Sequence, residues 1–511
     1  HEPDTSPTRL AERWGWWLYG FGAEGYSAVG QALFIPVVIE RLAAQAGVQQ
    51  ADHTLACSRG ADADSAAHSA CVVPIAGLYI ETSSLVLYTT TIATLVQLVL
   101  FLGLGGAADF GAHRKMLLMM FATACAIVTI GFLGLTQPQY YWVGCLLLIV
   151  SSACYGVTFV FHYAWIPVLV RNDPRVRALQ AEQRLQRSDA AIQLLHHQFD
   201  AHLHRSISNQ LSTYGFALQY LASTVQLVVF AVLMRYWSRS ESARSLFASL
   251  PETYPAQVCL ALSALWYLAC LVPTQMLLRP RPGPPLPAGH NLFLFGFKRV
   301  GHTLRQARRL PNLFRFLLGW FAYSDAFCTI TSVSILIAEA ELALSMAQLL
   351  TLVIAVNIVA GFGTLVWRWF QHAMGWSTKS ILLLQVSMYL LFPVYCLCGF
   401  WFDIGLKSLR EAYCLALLHG FLLGATQSTC RVLFGQLIPA GMESRFFALY
   451  EVTDKGSSWI GPLAVAALTD WTHDKRYAFI FLLAMFIIPL CIFATVDPDA
   501  AIDEARQFLR E

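Results

Sequence analysis

The chain has 511 residues, 57% of them hydrophobic and 13% charged, with a mean hydropathy of +0.54. Soluble globular domains carry about 25% charged residues, so this composition excludes an ordinary soluble fold. The net charge of +3 points to no nucleic-acid partner.

Twelve predominantly apolar stretches follow one another near 14–40, 81–108, 116–137, 140–170, 206–235, 256–278, 312–338, 346–370, 379–402, 411–438, 445–469 and 477–496. Each meets the roughly 20 residues that carry a helix across about 30 Å of hydrocarbon. None alternates over about 10 residues as a barrel strand would. The pattern predicts an all-α polytopic membrane protein. Residues 1–13 form a short N-terminus, and 14–278 a first set of six helices with a polar loop at 41–80 and a helix-forming segment at 171–205. Residues 279–311 are a linker opening on the proline-rich run RPRPGPPLPAG, stiff and extended by composition; 312–496 are six further helices and 497–511 a tail. The segment 171–205 places Leu185, Ile192, Leu195 and Phe199 at helical spacing, as an amphipathic helix on the membrane surface or against the bundle would. No cleavable signal peptide is read after Arg9 and Arg13; the chain begins at His1, and residues upstream of it are expected.

With both termini on one side, the loops and ends of that side hold 22 of the 34 Lys and Arg. The positive-inside rule therefore predicts both termini in the cytosol. Of thirteen cysteines, Cys57 and Cys71 share the polar loop 41–80 on the far side, where an oxidising compartment would permit a bridge. No C-x-x-C pair, P-loop or hydrolase motif occurs, so neither a metal, a cofactor nor an enzymatic activity is expected. His196, His197, His202 and His204 read as a solvated helix face.

Charges at bilayer depth are costly and mark partners or water-filled paths. Glu451, Asp454 and Lys455 lie in FFALYEVTDKGSSWIGP (Phe446–Pro462), where small residues allow another helix close by. Counting roughly 1.5 Å per residue from the cytosolic helix ends, Glu24, Gln427, Asp454 and Lys455 come out at a similar depth of roughly 15 Å. Arg431 and Glu451 come out near roughly 10 Å, a matched pair of opposite charge. Between the second and third stretches, Gly105-Gly-Ala-Ala-Asp109-Phe-Gly111-Ala-His113-Arg114-Lys115 looks like a degenerate form of the signature loop of the major facilitator superfamily, whose six-plus-six helices enclose a midplane site.

Several stretches together resemble the fungal autophagy-related protein 22 family of vacuolar amino-acid effluxers. They are WLYGFGAE (Trp17–Glu24), Phe159–His162 through Leu169–Asn172, Arg281–Pro287, Tyr323–Asp325, Gln427–Arg431, Leu437–Pro439 and Phe446–Pro462. The likeness runs over nearly the whole chain. It implies a major-facilitator fold of twelve helices in two halves, in the vacuolar membrane, exporting leucine-like and tyrosine-like amino acids to the cytosol. Helices one, four, seven and ten line the cavity in that fold. Glu24 or Asp325 would hold the substrate ammonium or take up a proton, Gln427 would donate to its carboxylate, and His162 of span four could touch substrate. Asp109, Arg114, Arg431, Glu451, Asp454 and Lys455 would form the gating charge network, with Arg431 on Glu451. The partners expected are an amino acid, the bilayer and, for a coupled mechanism, protons; a monomer is expected. A non-transporting sensor or scaffold on the same fold, or a transporter of another small solute, are the competing readings.

Overall fold

The computed structural model describes residues 6–49, 55, 57, 71–75, 78–185, 190–240, 250–285, 291–305, 307–342, 346–402, 404–458, 460–472 and 477–510, with no side chain described over 183–202. The chain there is almost wholly helical, the solution that satisfies every backbone polar group within a span. The first span begins as α1 (Leu10–Tyr26), widens to π-helical geometry over Ser27–Phe34, and resumes as α2 (Ile35–Ala46) with Pro36 in its first turn. Beyond it three short strands pair antiparallel: β1 (Val48–Gln49), β2 (Cys71–Ile75) and β3 (Leu78–Glu81), with Val48 opposite Val72 and Val73 opposite Ile80. Residues 41–80, expected only as a polar loop, thus carry a small sheet. Cys57 is bonded to Cys71 with Cα atoms 5.8 Å apart; the residues 58–70 between them lie outside the described ones.

The helices that follow are α3 (Thr82–Gly105), α4 (His113–Ile130), α5 (Tyr141–Arg171), α6 (Pro174–Leu185), α7 (Ala190–Arg239), α8 (Tyr254–Leu277) and α9 (Leu292–Arg305). The C-terminal part comprises α10 (Pro311–Leu342), α11 (Met346–Met374), α12 (Thr378–Tyr389), α13 (Leu391–Cys398), α14 (Leu409–Leu437), α15 (Glu443–Ser457), α16 (Ile460–Thr472), α17 (Ala478–Thr495) and α18 (Pro498–Arg510). Among the described residues, nine helical stretches are long and apolar enough to cross a membrane. The three other expected spans coincide with α10, α14 and the pair α15–α16, which carry Arg315 and Asp325, Arg431, and Glu451, Asp454 and Lys455 respectively. Apolar side chains such as Leu95, Val99, Ile127, Val232, Met276 and Phe362 stand on the outside of the bundle, the inverse of a soluble protein and the arrangement hydrocarbon favours.

Two features differ from the expected layout. The segment 171–205 is not one helix: α6 (Pro174–Leu185) is followed by α7, which starts at Ala190 and continues to Arg239, 50 residues or about 75 Å in all. His196, His197 and His202 lie on it with side chains outside those described. The linker, expected as a stiff and extended segment, is docked on the bundle. Gly283 donates to the Gly111 carbonyl (2.9 Å), Gly111 donates to the Pro284 carbonyl (2.9 Å), and Arg281 pairs with Glu12 at 2.8 Å. A side chain at Gly283 would strike the Asp109 carbonyl oxygen. The linker residues 286–290 and 306 lie outside the described ones.

The first half is knit by α1 on α7 and α8, α4 on α5 and α8, and α3 on α5; the second by α10 on α15 and α17, and α14 on α11 and α12. Two seams join the halves, α7 against α11 and α14, and α3 and α5 against α15. The face carrying both chain ends is called the terminal face below.

Candidate functional site

A cavity of about 370 Å³ lies between the halves, lined from the first by Glu24, Ser27, Gln31, Gln97, Ser152, Tyr155, Phe159, Tyr163, Phe216, Gln219 and Tyr220, and from the second by Ser324, Phe327, Cys328, Leu423, Gln427, Arg431, Glu451, Asp454 and Lys455. The π-helical segment positions Ser27 and Gln31 on this wall; such widened turns recur at functional sites. Along the first span the lining runs from Glu24 of α1 to Gln31 of the π-helical segment, away from the terminal face, and on α5 it runs from Tyr163 back to Ser152. The cavity therefore extends from the middle of the bundle towards the opposite face.

Its walls combine charge with aromatic surface. Arg431 does not pair with Glu451, contrary to the expectation from their matched depth. Its guanidinium lies over the rings of Tyr163 (4.2 Å), Phe216 (5.3 Å) and Tyr450 (5.6 Å), and it donates to the side-chain and backbone oxygens of Gln427, one turn earlier on α14. A planar guanidinium sandwiched by rings keeps much of its stabilisation without a carboxylate. Gln427 thus presents its amide oxygen to Arg431. Glu451 has one carboxylate oxygen buried without a hydrogen bond. Asp454 is 3.5 Å from the Lys455 ammonium and accepts from the Ser324 hydroxyl. Gln97, Ser152, Gln31, Tyr26 and Thr129 form a hydrogen-bonded chain from the wall into the first half.

Two expected binding residues lie elsewhere. His162 is buried behind the wall, stacked on Trp16 with centroids 4.6 Å apart and flanked by Tyr19 and Tyr163, so it packs the α1–α5 interface. Asp325 is fully buried on α10 and accepts the Gly461 N–H at 3.0 Å. It caps α16, the second piece of the broken span, where negative charge meets the positive end of a helix. Neither residue lines the cavity. Conversely, the aromatic wall of Tyr155, Tyr163, Phe216 and Tyr220 was not singled out in the sequence, where these residues look like any others of an apolar span.

The terminal face is closed by a second cluster. Asp109 accepts from Arg114 (2.8 Å) and from the Ser444 and Arg445 N–H groups (2.8 and 3.0 Å), capping α15 from across the seam. Arg114 also contacts Glu443 at 3.1 Å and Ser444 Oγ at 3.0 Å, and Arg171 pairs with Glu443. All four charges of this cluster are held between α3, α4, α5 and α15. Asp109 and Arg114 are brought together as read from the loop; Glu443 and Arg171 were missed. The signal for Glu443 was an acidic residue in the first turn of a helix. Asp109 and Arg114 stand apart from the cavity group of Arg431, Glu451, Asp454 and Lys455, so the six expected network residues form two clusters.

Comparisons with known proteins agree with this architecture. Solved structures with the same fold include a bacterial homologue of the iron transporter ferroportin in an outward-facing state (TM-score 0.61, 12% identity, covering 95% of this chain and 98% of that one). Others are the human organic anion transporter MFSD10 (TM-score 0.58, 13% identity, 95% and 100%) and the major facilitator superfamily proton:xylose symporter XylE (TM-score 0.55, 14%, 96% and 95%). The fold is that of major facilitator superfamily transporters. Autophagy-related protein 22-1 of Penicillium rubens is 31% identical over 97% of this chain and 91% of its own length, and autophagy-related protein 22 of Gibberella zeae 33% over 97% and 80%. The family model described as vacuole effluxer Atg22-like matches residues 8–506, and the chain belongs to that family.

Proposed function

We propose that this protein exports amino acids from the vacuole lumen to the cytosol by alternating access, with both chain ends in the cytosol. The observation that carries the reading is the cavity itself, a mid-bundle space whose lining offers carboxylates (Glu24, Glu451, Asp454), cations (Arg431, Lys455) and aromatic faces together. A zwitterion needs both signs of charge within one site, and a leucine-like or tyrosine-like side chain needs the rings. Glu24 is the carboxylate for the substrate ammonium or a coupled proton. Gln427 and Arg431, already hydrogen-bonded to each other, face the substrate carboxylate. The family description and the excess of Lys and Arg on the terminal face support the location and the orientation.

In this conformation the Asp109–Arg114–Glu443–Arg171 cluster seals the terminal face while the cavity extends to the other. Delivery to the cytosol requires that cluster to part and the opposite end to close, with the halves rocking about the site. The test is uptake of labelled leucine, tyrosine, lysine and glutamate into proteoliposomes with and without a pH gradient. Saturable uptake of neutral amino acids, abolished by Glu24→Ala in folded protein, is the expected result. Movement of none of the four would count against transport and for a sensor or scaffold.

A further inference from the structure

A second polar cavity, of about 250 Å³, opens on the terminal face at the seam between α7 and α11. Arg205 and Asn209 come from the first half, and Arg368, Gln371, His372 and Trp376 from the second. No Asp or Glu is among its described lining residues. Arg205 makes no ion pair with any described residue. Arg368 lies over the Tyr214 ring at 4.7 Å, and its Nη1 is buried without a hydrogen-bond partner. The floor is fixed by Asn209 donating to Gln371 (3.0 Å) across the seam. Two guanidinium groups, one of them with an Nη1 that donates to nothing, line one hole with no Asp or Glu among its described lining residues. Such a site demands an anion with several oxygen acceptors.

We infer that this cavity binds the phosphate-bearing headgroup of an anionic lipid from the leaflet at the terminal face. The height of the cavity and its surroundings favour a lipid over a soluble phosphate. It sits at the ends of the apolar stretches of α7 and α11, Leu203–Trp237 and Leu350–Met374, where headgroups would meet water. Immediately beside it on α11, Phe362, Leu365 and Trp369 are all exposed, at i, i+3 and i+7 spacing. They form one apolar stripe running from the cavity into the hydrocarbon, where acyl chains would lie. Trp376, at the rim, is the residue type that anchors at membrane interfaces, and basic pockets between spans are where phosphorylated headgroups are held. Because Arg205 belongs to one half and Arg368 to the other, the site is complete only while the halves are together on this face. The lipid is therefore a clamp that favours the closed terminal face, through its differential affinity for that state.

The test is native mass spectrometry of the full chain released from nanodiscs of phosphatidylcholine with or without a phosphatidylinositol monophosphate. Wild type should retain the phosphorylated lipid, and Arg205→Gln and Arg368→Gln should each lower retention roughly ten-fold or more, the scale of losing a charge-assisted hydrogen bond. Arg308→Gln, an exposed arginine of the same face outside the cavity, should retain it as wild type does. Arg205 is half-buried and, unlike Arg368, has no buried side-chain atom without a partner, so its variant decides the matter even if Arg368→Gln fails to fold. Equal retention by wild type and Arg205→Gln would overturn the site. Displacement of the lipid by an equimolar amount of the soluble inositol phosphate headgroup would overturn the lipid assignment in favour of a free phosphate.

Discussion

Arg431 shows how far charge matching can be read from a one-dimensional register. Its depth equals that of Glu451, and in a bare pair of helices the two would meet. Three rings instead surround the guanidinium, and its Nη1 donates to Gln427. The ring cage needs a flat cation, whereas a lysine ammonium is compact and more strongly hydrated. Arg431→Lys should therefore keep the charge yet lose most transport, with the cation–π part alone worth about 0.5–2 kcal/mol. Initial uptake rates in proteoliposomes, normalised to monodisperse protein on size exclusion, measure this. A rate within two-fold of wild type, roughly 0.4 kcal/mol by the usual conversion, would remove the cage from the mechanism. Charge, depth and spacing were legible at this level: Glu24, Gln427, Arg431, Glu451, Asp454 and Lys455 do share one cavity. Side-chain direction was not, because Asp325 and His162, expected at the substrate, point to a helix end and a tryptophan face instead.

Broken helices are where the elements depart most from an ideal bundle. The span α15–α16 breaks near Ser458, and Asp325 of α10 satisfies the Gly461 N–H exposed by the break. Gly461 is required there, since a Cβ would strike the Thr329 hydroxyl. Asp325→Asn retains an acceptor for that N–H and should fold, whereas Asp325→Ala should lower the melting temperature by the loss of a cap, about 0.5–2 kcal/mol. Fluorescence-monitored thermal unfolding in detergent separates the two. Equal melting for Asn and Ala variants would show that capping is not what Asp325 does. The seam of α3 with α15 makes a second prediction. A Cβ at Gly105 would come within 2.2 Å of the Ala448 Cβ, so Gly105→Val should force α3 from α15 and weaken the closed terminal face. Hydrogen–deuterium exchange should rise over 106–112 and 439–444 in that variant, and unchanged exchange would mean the seam absorbs the bulk elsewhere. The apolar runs made the helices legible, but the π turn at Ser27–Phe34, the sheet of β1–β3 and the docking of the linker arise from contacts between segments far apart in sequence. Glycines such as Gly105 and Gly283 become informative only once their neighbours are known.

The conformation of the whole molecule is set by which of its two ends is held shut. On the terminal face, Asp109 caps α15 and Arg114 and Arg171 converge on Glu443 across the seam, with Asp109, Arg114 and Glu443 buried and Arg171 partly exposed. Breaking one partner of such a cluster leaves an uncompensated charge, a cost of about 3–5 kcal/mol, so the closed face is a distinct state and not one end of a continuum. The cavity holds one chemical reporter, Cys328 of α10, beside Phe327 and Asp454. In a variant with Cys414 and Cys491, the other exposed cysteines, changed to Ser, a membrane-impermeant maleimide should reach Cys328 from the face opposite the termini and not from the terminal face. Glu443→Gln removes the carboxylate on which both arginines converge and should raise labelling from the terminal face while lowering it from the other. Transported amino acids, by occupying the same space, should slow labelling in wild type at concentrations near their half-saturation. Sealed vesicles of known orientation, labelled from one side at a time, give the measurement. Labelling of wild-type Cys328 at equal rates from both faces would mean an open pore rather than alternating access, and labelling indifferent to Glu443→Gln would mean that the cluster at the terminal face does not hold the gate.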